Sequence, residues 1–149
     1  LVIGCKTSII PSDGSVTVIG RAHISMECGA FMGCKGLTEI TIPNSITNID
    51  DYAFKGCELS GIIIPNSVSR IGFSAFQSCA NLTNVIIYNG VSNIESMAFQ
   101  SCFALKEIRY MGTKSQWGTI KKSNYWAYGV SGKCPYKINC SDGTINNSV

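Results

Sequence analysis

The dipeptide Ala-Phe recurs along this sequence at almost constant intervals. The phenylalanines of these dipeptides are Phe31, Phe54, Phe76 and Phe99, and their spacings are 23, 22 and 23 residues. A cysteine follows each of them three residues later, and these are Cys34, Cys57, Cys79 and Cys102. A repeat of this length is typical of a solenoid, in which each coil contacts only its neighbours. The spacing therefore predicts stacked coils with one structural ladder of phenylalanine and another of cysteine.

Each repeat combines a strand pattern with a turn and a return segment. Apolar and polar residues alternate from Leu37 to Ile42, which predicts a short strand with one face inward. Pro43 ends that strand because it has no amide hydrogen for a ladder bond. Ile46 and Ile49 are then expected to return to the core. The segment 50–57 is predicted as one helical turn, begun by acidic residues and closed near a glycine.

A longer motif connects these features. Residues 42–57 and 64–79 share the pattern I-P-N-S-[I/V]-x-x-I-x-x-x-A-F-x-x-C. The pattern resembles the BspA-like leucine-rich repeat of bacterial surface proteins, and the resemblance covers at least residues 30–110. It implies a leucine-rich-repeat solenoid of the α/β class, with short parallel strands on one face, short helical turns on the other, and a C-terminal cap.

The repeat pattern weakens toward both ends of the chain. Residues 1–110 are predicted to form the solenoid, with an irregular first coil over 1–29 because extra residues precede Ala30-Phe31. Residues 111–149 are predicted to form the C-terminal capping module. A cap is expected because an uncovered last coil exposes apolar core and an unpaired strand edge.

Charge and hydropathy argue against two classes of partner. Charged residues make up 14% of the chain, the formal net charge is +3, and the longest basic run is Lys121-Lys122. These values do not favour nucleic acid. The apolar runs 62–64 and 85–88 are far shorter than the roughly 20 residues that span a bilayer, so no membrane insertion is predicted. The sequence begins with Leu1 and is interpreted as a fragment of a longer chain.

The eight cysteines do not match a metal site, because no C-x2-C pair occurs. No metal and no cofactor are predicted. The ladder cysteines are expected to be free, buried thiols, since parallel side chains in neighbouring coils seldom point at each other. Two bridges outside the ladder stay open, one between Cys134 and Cys140 and a second between Cys5 and Cys28.

Catalytic constellations are not recognisable in the sequence. His23 is the only histidine, and no nucleophile or acid is placed beside it. The carboxylates Asp50, Asp51, Glu95 and Glu107 do not suggest an acid/base pair. The glycines recur at turns and form no phosphate loop. The chain is therefore predicted not to be an enzyme, and catalysis is kept as a remote alternative.

The outward side of the predicted strands is the first candidate binding surface. Alternation places its residues at Glu39, Thr41, Ile63, Asn84, Ile86, Glu107 and Arg109. Apolar Ile63 and Ile86 with a polar rim have the composition of a binding patch. Strand propensity alone also favours isoleucine at such positions. The sequence leaves both explanations open.

A secondary patch is predicted after residue 110, at Trp117, Trp126, Lys121 and Lys122. From residue 106 onward there are seven basic and two acidic residues, whereas residues 1–105 contain five basic and seven acidic ones. Aromatic rings among lysines suit a glycan or an anionic surface. A cap also needs bulky aromatics to cover the last coil, and that covering role is the favoured interpretation.

The family resemblance implies a non-catalytic interaction module of a secreted or cell-surface protein. It implies adhesion to host or matrix proteins, or to other cells, through the strand face, with an extracellular protein or a glycan as ligand. The alternative is a passive spacer that holds another domain away from the cell wall. The sequence predicts neither the identity of the ligand nor the oligomeric state.

Overall fold

A computed structural model describes residues 14–17, 24–26, 28–128 and 136–146. The elements in these ranges are β1 (Ser15–Thr17), β2 (Ile24–Met26), β3 (Glu39–Thr41), β4 (Ile46–Ile49), β5 (Gly61–Ile64), β6 (Arg70–Ile71), β7 (Asn84–Ile87), β8 (Asn93–Ile94), β9 (Glu107–Tyr110), α1 (Lys114–Thr119), β10 (Lys121–Lys122), β11 (Lys137–Cys140) and β12 (Gly143–Asn146). His23, Cys5 and Cys134 lie outside the described residues.

The strands form a parallel solenoid, as the repeat predicts. The first sheet has the order β12-β11-β9-β7-β5, and the second has the order β10-β8-β6-β4-β2. Within the first sheet, Gly61 pairs with Asn84, Asn84 with Glu107, and Glu107 with Lys137. Strands from successive coils thus stack in one register. A separate pair, β1 and β3, lies next to the first sheet.

The phenylalanines form one continuous stack through the interior. The ring centroids of Phe31 and Phe54 are 5.3 Å apart, and those of Phe54 and Phe76 are 5.2 Å apart. Phe76 and Phe99 follow at 5.1 Å, with ring planes within 9° of parallel throughout. All four side chains are buried. The interior is a set of such columns, since the same residue type returns at the same place in each coil.

The second sheet is a feature that the sequence analysis did not predict. Ile46 and Ile49 were expected only as inward-pointing residues, whereas they begin and end β4. Both are buried, and Thr47 and Asn48 between them are partly exposed. Strands β6 and β8 continue the same sheet with two residues each. Each repeat therefore contributes two strands to the solenoid.

The segment 50–57 consists of turns, so the helical turn expected there is not formed. Tyr52 and Gly56 adopt left-handed backbone angles, with φ of 59° and 71°, which interrupt a right-handed helix. The amide of Phe54 donates to the carbonyl of Ala75 in the next coil, at 2.8 Å, instead of closing a bond within a helix. The equivalent left-handed residues in the following coils are Ser74, Ser78, Met97 and Ser101.

Both sheets continue beyond residue 110. Strand β10 pairs in parallel with β8, and β11 pairs in parallel with β9. Strand β12 then reverses direction and pairs antiparallel with β11. In the described part of the chain the one helix, α1, has six residues, and no helix is long and apolar enough to cross a membrane.

The phenylalanine stack ends at the pair Trp126-Ala127. The amide of Phe99 donates to the carbonyl of Trp126 at 2.7 Å, which is the bond that Phe76 makes to Ala98 one coil earlier. Trp126 therefore occupies the position of the repeat alanine, and Ala127 occupies the position of the repeat phenylalanine. As a result, the indole of Trp126 meets Phe99 edge-on, with centroids 6.2 Å apart and planes at 89°.

The cysteines follow the prediction only in part. Cys57 and Cys79 are buried free thiols, and Cys102 is a buried thiol that donates to the carbonyl of Phe76. Cys34 is disulfide-bonded, so the free thiol expected there was wrong. Its bond is not made to the next ladder cysteine, because that one is free. Cys28 and Cys140 are also free, which excludes the Cys5–Cys28 and Cys134–Cys140 bridges. Cys140 instead lies in the β11–β12 hairpin, opposite Gly143.

Candidate interaction face

The outward side chains of β3, β5, β7 and β9 form two neighbouring rows, which we call the strand face. The first row is Glu39, Gly61, Asn84 and Glu107, and the second row is Thr41, Ile63, Ile86 and Arg109. Because strand side chains alternate in direction, the residues between these positions point into the core. The strand face thus contains all seven residues that alternation in the sequence assigned to it.

The strand face exposes isoleucine. The side chain of Ile63 is 55% exposed, whereas its neighbours Ile62 and Ile64 are buried. Ile86, beside Ile63 in the next strand, is half-buried. An exposed aliphatic side chain next to a half-buried one provides an apolar surface that loses contact with water when a partner covers it.

A groove of about 510 Å³ lies on this face, across β3, β5 and β7. Its outward lining residues are Glu39, Thr41, Gly61, Ile63, Asn84 and Ile86. A smaller hollow of about 130 Å³ continues from it toward β9, and the side chains of Glu107 and Arg109 line its far side. The two depressions follow one another across four strands.

The groove lies where the strand ladder is interrupted. Strand β3 pairs with β1, and β5 is the first strand of the first sheet, so no ladder joins β3 to β5. The amide of Ser60 still donates to the carbonyl of Thr38 at 3.0 Å, just before the two strands begin. The coils are therefore tied together at the strand entry, and the groove opens beyond that point.

The charges at the two ends of the strand face have no ion-pair partner within the described ranges. Glu39 lies at one end and Arg109 at the other, and both are exposed. Glu107 accepts a hydrogen bond from the side-chain amide of Asn139 at 2.9 Å. The β3 end of the face thus carries Glu39, and the β9 end carries Arg109 together with Glu107, with the isoleucines between the two ends.

Beside the second sheet, by contrast, one arginine and three carboxylates form an ion-pair network. The guanidinium of Arg70 lies 2.7 Å from Asp51 and 3.4 Å from each of Asp50 and Glu95. From the sequence, Asp50 and Asp51 were expected only to begin a helical turn, and none of the three carboxylates was connected to an arginine. The repeat length does indicate this contact, because Asp50 and Asp51 lie in the coil before that of Arg70 and Glu95 lies in the coil after it. We assign these residues a structural role.

The secondary patch is not an exposed aromatic surface. Trp117 is buried and packs against Tyr110 and Trp126, with ring centroids 5.1 Å and 5.8 Å away. The ammonium of Lys122 donates to the carbonyl of Trp117 at 2.7 Å and lies 4.9 Å from its ring centroid. Burial lowers the pKa of Lys122, and Lys121 is exposed. This placement favours the covering role of the tryptophans over a glycan-binding role.

The described residues contain no group of three or more histidine, cysteine, aspartate or glutamate side chains that is placed to hold a metal ion. The pKa shifts of the cysteines run against a nucleophilic role. Burial raises the pKa of the Cys57 thiol to about 12, so this side chain stays protonated at neutral pH.

Comparisons with known proteins agree with this architecture. The sequence matches the family described as "BspA type Leucine rich repeat region" over residues 12–124, with six copies of the repeat. Among solved structures, a leucine rich cell surface protein from Faecalibacterium prausnitzii is similar, with 28% sequence identity and a TM-score of 0.64. The similarity covers 74% of this chain and 35% of that one, so this chain spans about a third of its length. A comparison with curated proteins found no match.

Proposed function

This chain belongs to the BspA-type leucine-rich repeat family, and on that basis we propose that it is a non-catalytic module whose strand face binds an extracellular protein or glycan. Family membership supports a protein-interaction or surface module. Adhesion through the strand face is the more specific proposal. The observation that carries it is the groove lined by the exposed side chain of Ile63.

Two properties of the strand face support binding over a purely structural role. Its isoleucines are surrounded by Thr41, Asn84 and Glu39, which is the apolar centre and polar rim of protein interfaces. The stacked strands also hold these side chains on regular secondary structure, so little ordering entropy is lost when a partner binds.

The cellular setting is proposed from the relatives. The similar protein from Faecalibacterium prausnitzii is described as a cell surface protein. We therefore propose that the parent of this chain is secreted or displayed at the cell surface, where it adheres to matrix proteins or to other cells.

The proposal is tested with the double variant Ile63→Asp/Ile86→Asp. The wild-type chain is screened for capture of immobilised matrix proteins, glycans and bacterial cells, and the variant is measured against every ligand that is captured. Capture is expected to fall at least about tenfold, because two carboxylates in the apolar stripe each cost more than about 1 kcal/mol when covered.

The matched control is Phe103→Asp/Met32→Asp, which changes two other exposed apolar side chains outside the strand face. It is expected to retain capture. Circular dichroism of both variants must show intact folding. Equal capture by wild type and Ile63→Asp/Ile86→Asp would contradict the assignment of the strand face, and no capture of any ligand by wild type would favour the passive spacer.

A further inference from the structure

Gly61 occupies the middle of the groove, and the backbone does not require a glycine there. Its φ lies outside the left-handed region, and an added Cβ would meet Asn84 at 3.4 Å and 3.5 Å, which is ordinary contact. A glycine inside a strand weakens it, because glycine loses more backbone entropy on folding and packs no side chain. The backbone conformation therefore does not explain the glycine, and the absence of a side chain at this position leaves the hollow open.

The walls of this hollow have a definite chemistry. Ile63 and Ile86 line one side, and Glu39 is the charged side chain among the groove residues. Among the described residues no aromatic ring lines the groove, although rings are the surfaces on which sugars commonly stack. At the far end of the neighbouring hollow lie Arg109 and Glu107, and the carboxylate of Glu107 accepts a hydrogen bond from the side-chain amide of Asn139. The depression is thus acidic at one end and apolar in the middle, and its other end presents the guanidinium of Arg109, which has no ion-pair partner in the described ranges, next to Glu107.

The spacing of the two charges matches an extended peptide. Glu39 lies in β3 and Arg109 in β9, three strands away along the stack. Adjacent strands are about 4.8 Å apart, so the strands that carry these residues are separated by roughly 14 Å. An extended chain advances about 3.4 Å per residue and covers this separation in about four residues.

We propose that the groove holds an extended peptide segment of a protein partner, which crosses the strands with a basic side chain at Glu39 and an acidic side chain at Arg109. An apolar side chain between them enters the hollow over Gly61. This inference rests on the proposed function, because it names the ligand class of the same face. The complementary charges fix the direction in which the peptide lies.

The probe is a phage-displayed library of random 12-residue peptides, selected on the wild-type chain. Enriched sequences are expected to carry Lys or Arg about four residues from Asp or Glu, with apolar residues between them. The strongest peptide is then synthesised and its Kd is measured by fluorescence anisotropy.

The deciding variant is Gly61→Val, which fills the hollow with a side chain that the backbone accepts. The Kd is expected to rise at least tenfold, while the thermal unfolding midpoint stays equal or rises, since valine favours strands. A raised Kd with an unchanged or higher unfolding midpoint shows that binding is lost while the fold is intact. Gly118→Val, at an exposed position of α1 where an added Cβ meets no atom within 4 Å, is the matched control and should leave the Kd unchanged.

Charge complementarity is tested with Glu39→Arg/Arg109→Glu. This variant is expected to bind the selected peptide about fivefold to tenfold more weakly, since exposed charge pairs contribute a few tenths to about 1 kcal/mol each. A second peptide, in which the basic and acidic residues are interchanged, should recover that loss.

The peptide inference would be overturned by no enriched peptides, by enriched peptides without the charge spacing, or by equal Kd for wild type and Gly61→Val. Glycan binding that Gly61→Val abolishes would assign the groove to sugars and would also overturn it. The proposed function is judged separately. If matrix capture is lost in Ile63→Asp/Ile86→Asp but kept in Gly61→Val, the strand face binds its partner and this inference alone fails.

Discussion

The thiol of Cys79 donates a hydrogen bond to the main-chain carbonyl oxygen of Phe54, 3.1 Å away in the preceding coil. The thiol of Cys57 makes the same bond to Phe31 at 2.8 Å, and that of Cys102 makes it to Phe76 at 3.1 Å. Each of these carbonyl groups also accepts from the main-chain amide of the cysteine in its own coil, so the thiol is its second donor. The cysteine ladder therefore supplies one main-chain hydrogen bond per coil inside the core, beside the phenylalanine stack.

Cys79→Ala should destabilise the fold by about 1–3 kcal/mol, because the carbonyl of Phe54 loses its thiol donor and a small void remains. Urea unfolding followed by circular dichroism measures the change. Cys28→Ala removes an exposed free thiol and should change stability by less than about 0.5 kcal/mol. Equal effects of the two substitutions would show that the ladder bond contributes nothing.

The thiol ladder should also make stability depend on alkaline pH. Burial raises the pKa of Cys57 to about 12 in the folded chain, whereas an unfolded thiol titrates near pH 8.5. The unfolded state thus loses the proton first, so the contribution is complete below about pH 8.5 and is lost as pH rises toward 12. The difference in unfolding free energy between wild type and Cys57→Ala should shrink from pH 8 to pH 11. A difference that stays constant would contradict this linkage.

Phe76 is stacked on both sides, so its removal should be costly. Phe76→Ala is expected to lower the unfolding free energy by about 3–5 kcal/mol, since a large cavity interrupts the column between Phe54 and Phe99. Phe103→Ala is the control, because that ring is 65% exposed. A denaturation midpoint that does not move in Phe76→Ala would show that the stack is not what holds the coils together.

The phenylalanine stack was predictable from spacing alone, because a constant period places equal residues at equal positions in every coil. The turns were not. Tyr52 and Met97 adopt left-handed angles although neither is a glycine, and their amides donate to the next coil. Acidic residues followed by a glycine are also a helix signal. A bond between coils overrides that local preference, and single-residue propensity contains no information about it.

The second sheet was missed for a related reason. Strands such as Arg70–Ile71 contain two residues, which is too short for an alternating pattern to be recognised. These short strands form because neighbouring coils pair with them, and their own residue composition does not indicate a strand.

Alternation predicted the rows of the strand face, because direction along a strand is a local property. The groove between them was not predicted. It depends on the unpaired edges of β3 and β5 and on the empty space at Gly61. Both arise from how neighbouring coils meet, and the sequence of a single repeat does not specify that.

Arg70→Met should destabilise the fold by about 1 kcal/mol at low salt, because Asp50, Asp51 and Glu95 lose the cation that they share. The side chains are partly exposed, so the effect should decrease when salt screens the remaining carboxylates. Arg109→Met removes an arginine that has no ion pair in the described ranges and should be close to neutral. Thermal unfolding at 20 mM and 500 mM NaCl measures both; a salt-independent loss in Arg70→Met would indicate lost packing in place of lost charge.

In the last coil the carbonyl of Phe99 accepts a hydrogen bond from a tyrosine hydroxyl, whereas the equivalent carbonyls of the earlier coils accept from cysteine thiols. The buried hydroxyl of Tyr136 lies 3.2 Å from the Phe99 oxygen and 3.3 Å from that of Cys102. We therefore expect Tyr136 to replace the ladder thiols as the side-chain donor to the main chain where the repeat ends.

Tyr136→Phe keeps the ring and removes this hydroxyl, so the unfolding free energy should fall by about 1–2 kcal/mol. Because the loss is confined to the final coil, hydrogen exchange of residues 136–146 should quicken more than that of residues 53–87. Tyr128→Phe changes an exposed ring by the same atom and should leave both measurements unchanged. Uniform acceleration of exchange along the whole chain would contradict a role at the end of the solenoid, since the hydroxyl would then support the entire stack.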